Sequence, residues 1–438
     1  MNLAALLDSP LTDKFKGIPG NTPPFPLASI AERKWNVLRQ DLPLPLAVIK
    51  QAALDHNSRW MQAFVALTGV KIAPHGKTTM APQLFARQLA DGAWGMTFAT
   101  ASQVRIAREY GVSRIILANQ LIGPANIAYI LDEVDHDPEF DFYCLVDSAA
   151  GVEILAKAVQ ARRLTRPLQV LIEMGVAGKR CGCRSVEEAV ALARCVKQQA
   201  PFLSLRGVEG FEGSISAPTP DETAAAVLAF AQNMVLAARQ MLEQGLFGEG
   251  TLLLSAGGSA YFDQVVGPLT IQRLRSNSGD DAPREVIIRS GCYLTHDSIF
   301  YRKLHEQLQA RFTAVAALGE GLKPALEVWA YVQSRPEPDR VILTCGKRDI
   351  SFDLHLPTLE QWYRPGEHDR PLPIPGEHVV AGLNDQHCIC TLPPSSPLKV
   401  GDMVSLGISH PCTTFDRWQW LPVVDDAYNV VEAVRTFF

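Results

Sequence analysis

Between residues 71 and 289 the chain alternates two hydrophobic patterns. Short, nearly continuous apolar runs lie at Lys71–His75, Trp94–Ala99, Arg114–Ala118, Phe140–Val146, Leu168–Met174, Leu203–Glu209, Thr251–Ser255 and Glu285–Arg289. Between most of them, apolar residues recur at helical spacing, as in Ala81–Leu89, Ser102–Tyr110, Pro124–Val134, Ala149–Ala161, Ser185–Gln199 and Asp221–Glu243. Strands that bury both faces and alternate with helices predict a parallel sheet. Eight such strands, most followed by a helix, predict a (β/α)8 TIM-like barrel. A doubly wound open sheet is the alternative. No G-x-G-x-x-G opens a helix after an early strand, which weakens it.

The flanks have a different texture. Residues 1–44 are rich in Pro and Gly, around Gly17–Gly20 and Thr22–Pro26, and read as loop with a short helix near Ala28–Gln40. A strand at Leu46–Lys50 and a helix over Gln51–Leu67 follow. Beyond residue 300 or so, strands are predicted at Val328–Ser334, Asp339–Cys345, Cys388–Leu392 and Lys399–Leu406. Frequent Gly and Pro interrupt them, and a final helix is predicted over Tyr428–Phe438. The expected division is an N-terminal extension (1–44) packing on the C-terminal domain, a barrel (45–300), and a mostly β C-terminal domain (301–438).

Composition narrows the function. Apolar residues make up 47% and charged residues 20% of the 438 residues, which is ordinary for a globular chain. A formal charge of -5, with Lys and Arg dispersed, argues against nucleic acid as a partner. Met1–Asp8 lacks a basic n-region and its apolar run is short for a signal peptide. No uninterrupted apolar run is long enough to span a bilayer. Nine cysteines, an odd number, do not suggest a disulfide framework. The expectation is a cytoplasmic protein with no membrane partner.

In a barrel the chemistry lies at the carboxyl ends of the strands. The first strand ends in His75-Gly-Lys77, and a desolvated lysine amine there can form a Schiff base with a carbonyl group. Any single strand-end lysine is more often merely solvated. The last two strands, however, run into Ser255-Ala-Gly-Gly-Ser259 and Arg289-Ser-Gly-Cys-Tyr293. Paired glycine–serine turns bring backbone N–H groups toward an anion. Opposite a lysine, they suggest a phosphorylated aldehyde, pyridoxal 5′-phosphate (PLP). The fifth strand runs into a glycine-laced loop with Arg180, and the sixth into Glu209-Gly-Phe-Glu-Gly-Ser214. In the C-terminal domain, His410-Pro-Cys412 offers imidazole and thiolate, a soft pair suited to Zn²⁺. A loop histidine and a buried cysteine is the bland alternative. Cys181-x-Cys183 and Cys388-x-Cys390 read as core or loop thiols. His387 is a hydrogen-bonding residue or a site base.

Taken in order, Pro74–Thr78, Met174–Gly182, Ser255–Ser259, Arg289–Tyr293 and His410–Cys412 resemble the fold-type III PLP enzymes. Within them the resemblance is to the D-serine dehydratase and D-threonine aldolase group, over nearly the whole chain from about residue 40. It implies an alanine racemase type of barrel, a homodimer, PLP and a divalent metal (Zn²⁺, with Mn²⁺ or Mg²⁺ as alternatives). It implies that Lys77 carries PLP, with His75 beside it, and that Arg180 contacts the cofactor's phenolic oxygen. Gly258, Ser259, Gly291 and Cys292 are expected near the phosphate, and Tyr293 near ring or phosphate. Arg289 matches the arginine that faces the pyridine nitrogen in alanine racemases. His410 and Cys412 would hold the metal. The implied activity is dehydration of a D-β-hydroxy amino acid, such as D-serine or D-threonine, to a 2-keto acid and ammonia. Retro-aldol cleavage, with His387 as base, is the alternative. A racemase using Tyr331 or Tyr363, and a non-catalytic PLP-binding protein, are the others. Two features depart from the family's common pattern. Thr78-Thr-Met80 stands where many relatives have Thr-His-Lys, and the metal motif is His-x-Cys rather than the His-x-Asp usual in the aldolases.

Overall fold

The computed structural model describes residues 1–269 and 284–438. Two compact units emerge, one of residues 62–77 and 88–291, the other of 2–61, 78–87 and 292–438.

In the first unit every apolar run becomes a strand: β1 (Lys71–Ile72), β2 (Met96–Phe98), β3 (Arg114–Gln120), β4 (Asp141–Val146), β5 (Leu168–Met174), β6 (Leu203–Gly210), β7 (Leu252–Ser255) and β8 (Arg284–Ile288). They form one parallel sheet in the order β1-β8-β7-β6-β5-β4-β3-β2. A parallel bridge between His75 and Thr97 joins the continuation of β1 to β2 and closes the curl. Ala73, Ile116, Tyr143, Leu145, Leu171, Leu253 and Ile287 pack as one buried cluster drawn from six of the strands or their exits. Each Leu or Ile so buried contributes about 1.5–3 kcal/mol. The intervening helices start where the sequence supplies caps. Thr100, Ser148, Ser185 and Thr219 each accept the N–H three residues on, and Thr219 forms a full capping box with Glu222. Among the described helices, Pro220–Glu243 alone is long and apolar enough to cross a membrane. Val227, Ala231, Met234 and Ala238 on it are buried in this fold, as in a core helix.

The second unit centres on β9 (Leu326–Glu337). β10 (Arg340–Leu343), β11 (Thr358–Tyr363), β12 (Leu372–Pro373), β13 (Val379–Leu383), β14 (Cys388–Thr391) and β15 (Met403–Gly407) join it in the order β12-β11-β15-β9-β10-β14-β13. The Leu46–Lys50 strand pairs antiparallel with β9 and parallel with β16 (Trp420–Val424).

Two predicted helices are not there. Val430–Arg435 is a strand, β17, paired antiparallel with β16 rather than part of a C-terminal helix. Val430, Ala433 and Val434 are buried by that pairing, and β-branched residues suit a pleated, half-buried surface. Near the N-terminus only a 3-10 turn forms, Leu27–Arg33, ended by Lys34 in the left-handed region. Asn36 then bonds Asn429 and the Ala427 carbonyl, which holds that segment extended.

Candidate active site

Beyond β1 the chain makes a 3-10 turn, Gly76–Thr78, that carries Lys77. His75 is partly exposed as a residue, yet its Nδ1 is buried without a hydrogen-bond partner. Burial holds the imidazole well below its ordinary pKa, and the charges of Lys77, Arg289 and Arg180 reinforce the shift. His75 is therefore neutral at pH 7, and three of the predicted cations act on it together.

The two glycine–serine turns lie side by side. The Arg289 N–H donates to the Gly257 carbonyl at 2.9 Å, and the Ser290 hydroxyl donates to Ser259 Oγ at 3.3 Å. Gly257 adopts φ +88°, and a Cβ on Gly258 would stand 2.8 Å from the Phe211 ring, so side chains are excluded at both. The turn does bind an anion, but that anion is internal. Fully buried Glu212 accepts the Gly257 N–H at 3.0 Å and the Gly258 N–H at 2.7 Å. The backbone donor of Gly258 is thus committed to a carboxylate from the Glu209–Ser214 stretch. Two glycines flanking a glutamate just past a strand end were the only signal.

Arg289 is deeply buried. Its guanidinium pairs with Glu209 at 2.5 Å, donates to Ser255 Oγ at 2.7 Å and donates to the Gly210 carbonyl at 2.9 Å. Burial pushes the Glu209 carboxyl up, to about 8, against the pull of Arg289, and Glu173 and Glu212 add to the rise. Its second oxygen is buried without a hydrogen-bond partner. Arg180 lies on the exposed loop after β5, its guanidinium 4.8 Å from the Phe211 ring centre. Asp147, Glu173 and Cys181 bring ligand-type atoms within 4.8 Å of one another. Local bonds account for the two carboxylates: Asp147 accepts the Gly182 N–H at 3.1 Å, and Glu173 accepts from Gln120. These bonds anchor the glycine-laced loop.

In the second unit Cys292 and Tyr293 are buried just past the second turn. The Cys292 and Cys412 sulfurs lie 3.8 Å apart, and Thr78 Oγ1 is 3.7 Å from the first and 3.5 Å from the second. His410 Nδ1 bonds Asp353 Oδ2 at 2.5 Å, a partner 57 positions away that no motif announces. Burial pushes the Asp353 carboxyl up, but hydrogen bonds from Thr413 and His410 outweigh it and leave it below its ordinary value. A carboxylate on Nδ1 is the usual device that orients a metal-binding histidine through Nε2. His410 does not join the two sulfurs within 4.8 Å. Among the described residues, only the Asp147 group meets that spacing with three ligand atoms. His387 is exposed in the turn between β13 and β14, where its carbonyl accepts the Asn384 N–H at 2.9 Å.

A closed parallel barrel, with a lysine leaving the first strand and two glycine–serine turns packed together after the last two, has the alanine racemase type of barrel fold. The comparisons agree. The family "Alanine racemase, N-terminal domain" matches residues 49–262, and "Putative serine dehydratase domain" matches residues 325–424. A D-threonine aldolase from Arthrobacter sp. is 26% identical over 392 residues, covering 89% of this chain and 90% of its own. The crystal structure of D-threonine aldolase from Filomicrobium marinum superimposes with a TM-score of 0.70 at 21% identity, covering 90% of this chain and 95% of that one. D-threo-3-hydroxyaspartate dehydratase from Delftia sp. HT23 gives 0.69 at 19%, covering 92% and 99%. Its solved variants include a histidine-to-alanine change and, two positions on, a cysteine-to-alanine change in the metal-free form. The chain belongs to the fold-type III PLP enzymes, in the group that holds these aldolases and dehydratases.

PLP is expected for this family, and the residues present fit it. Lys77 would supply the amine, Arg289 and Arg180 the positive surroundings, and Ser259, Ser290 and Gly291 a polar turn for the phosphate. The orphaned His75 Nδ1 and Glu209 Oε2 are polar atoms a cofactor can satisfy.

Proposed function

We propose that the protein is a PLP- and metal-dependent lyase that converts a D-β-hydroxy amino acid, such as D-serine or D-threonine, to a 2-keto acid and ammonia. Bound PLP supplies the electron sink for the bond-breaking at Cα. The Lys77 amine removes the α-proton and returns it to solvent. Arg289, fixed by Glu209, Ser255 and Gly210, keeps a positive charge in place without moving during the reaction. Neutral His75 does not compete with Lys77 for positive charge. His410 and Cys412 would hold the divalent metal, which supplies Lewis acidity for departure of the β-hydroxyl. The balance is simple: water leaves in the elimination, re-enters in hydrolysis, and ammonia is released.

The observation that carries this reading is Thr78. Its hydroxyl lies 3.5 Å from Cys412, and the residue before it in the chain is Lys77. The same histidine–cysteine spacing appears in the variants made of D-threo-3-hydroxyaspartate dehydratase, one of them metal-free, which supports a metal at His410 and Cys412. Retro-aldol cleavage is the second reading, favoured by the 26% identity to a D-threonine aldolase.

The test is to incubate the purified protein and PLP with D-serine and D-threonine, before and after chelation. Keto acid and ammonia, lost with EDTA and restored by Zn²⁺ or Mn²⁺, establish the dehydratase. Glycine and acetaldehyde from D-threonine establish the aldolase. Neither product, with PLP still bound, overturns both.

A further inference from the structure

We propose that Cys292 is a second thiolate ligand of the metal, paired with Cys412. The inference rests on the metal reading above and deepens it. Cys292 is expected beside the phosphate, yet its side chain is turned to Cys412. Two thiolates bound at 2.3 Å to a tetrahedral zinc stand about 3.8 Å apart. The two sulfurs are separated by 3.8 Å. That distance is far beyond a disulfide, in which the sulfurs approach to about 2.05 Å.

The closeness has no local cause. Cys388 and Cys390 also approach, at 3.6 Å, but they are alternate residues on one strand and share its face. Cys292 and Cys412 are 120 positions apart, the first in a turn and the second opening the short helix Cys412–Phe415. Their surroundings are those of a ligand pair. The Thr78 hydroxyl touches both sulfurs, the kind of outer hydrogen bond that orients a coordinated thiolate. Tyr301 bonds Cys292 through its hydroxyl. Asp297, on whose carboxyl the charge of Cys292 acts, has its Oδ2 buried without a hydrogen-bond partner. A divalent cation is the counter-charge that two thiolates held this close call for. The consequence is selectivity: two soft sulfurs favour Zn²⁺ over the hard ions Mn²⁺ and Mg²⁺.

The experiment uses full-length holoenzyme, stripped of metal with a chelator and reloaded with Co²⁺ as the probe. Thiolate-to-cobalt charge-transfer absorbance is recorded for the wild type, Cys292→Ser, Cys412→Ser and the double variant. Two thiolates predict that each single variant loses about half the band and the double variant all of it, each thiolate being one metal bond. A full-strength band in Cys292→Ser, with none in Cys412→Ser, overturns the second ligand and leaves the metal reading standing. No thiolate band in the wild type overturns both. Cys292→Asp guards against a folding defect, because it keeps a metal-binding side chain. It should bind one equivalent of Zn²⁺ more tightly than Cys292→Ala, and equal affinities for the two also overturn the proposal.

Discussion

The barrel's polar residues and the sulfur corner of the β-rich unit are built on opposite plans. In the barrel the functional groups are already paired with one another. Arg289 has three partners, Glu212 has two amides, and both are buried. In the β-rich unit Cys412 and His410 are only partly buried, and the sulfurs have weak, long contacts. The first plan fixes geometry before any ligand arrives. The second leaves ligand atoms to be organised by what binds. Mutations in the two regions should therefore fail differently, the barrel in cofactor retention and stability, the sulfur corner in metal-dependent turnover alone.

Lys77→Ala should have the largest effect. It removes the amine proposed to carry PLP, so turnover should fall to background and the visible absorbance of lysine-bound cofactor should disappear. A retained yellow lysine adduct would place the cofactor elsewhere and dissolve the comparison. Cys412→Ala comes next. It should lose metal-dependent turnover while PLP absorbance and melting temperature stay near wild type. Full activity without metal would remove the metal from the mechanism. Loss of PLP together with metal would show that the sulfur corner is as closed a network as the barrel.

Arg289→Leu tests the closed network itself. It strands Glu209 in the interior, and breaking a buried pair from one side costs about 3–5 kcal/mol. Denaturant melts should show that loss at pH 9. They should show less at pH 6, where the Glu209 carboxyl, pushed up to about 8 by burial, is neutral. A loss within error at both would mean that the network is no tighter than the sulfur corner.

The same contrast governs what the chain revealed before its structure. Barrel strands were legible because a strand buried on both faces must be apolar along its length, as Leu252–Leu254 and Val286–Ile288 are. The tight turn after the seventh strand was legible because Gly257 and Gly258 leave no room for side chains. Partners across long separations were not. Nothing in the chain says that Glu212 reaches Gly258, or that Asp353 reaches His410, since those contacts depend on how strands register. Val430–Arg435 failed for another reason. A short apolar run carries no period that distinguishes helix from strand, and only its pairing with Trp420–Val424 settles it.

Glu209→Gln is the smallest change and the sharpest probe of the barrel plan. The Glu209 carboxyl titrates at about 8 in the folded protein, against about 4.3 in an unfolded chain. Between those values the folded state holds a proton that the unfolded state has lost. Stability from this group is therefore complete at low pH, declines as pH rises through the window and levels off above pH 8. Glutamine has no such proton. The melting temperature of Glu209→Gln relative to wild type should thus climb steadily from pH 5 to pH 8 and then stop climbing, with other titrating groups cancelling in the difference. A difference that stays flat across the window would mean that Glu209 is ionised throughout. Arg289 would then sit in a settled ion pair, and the barrel would hold two full charges rather than one shared proton beside its cofactor.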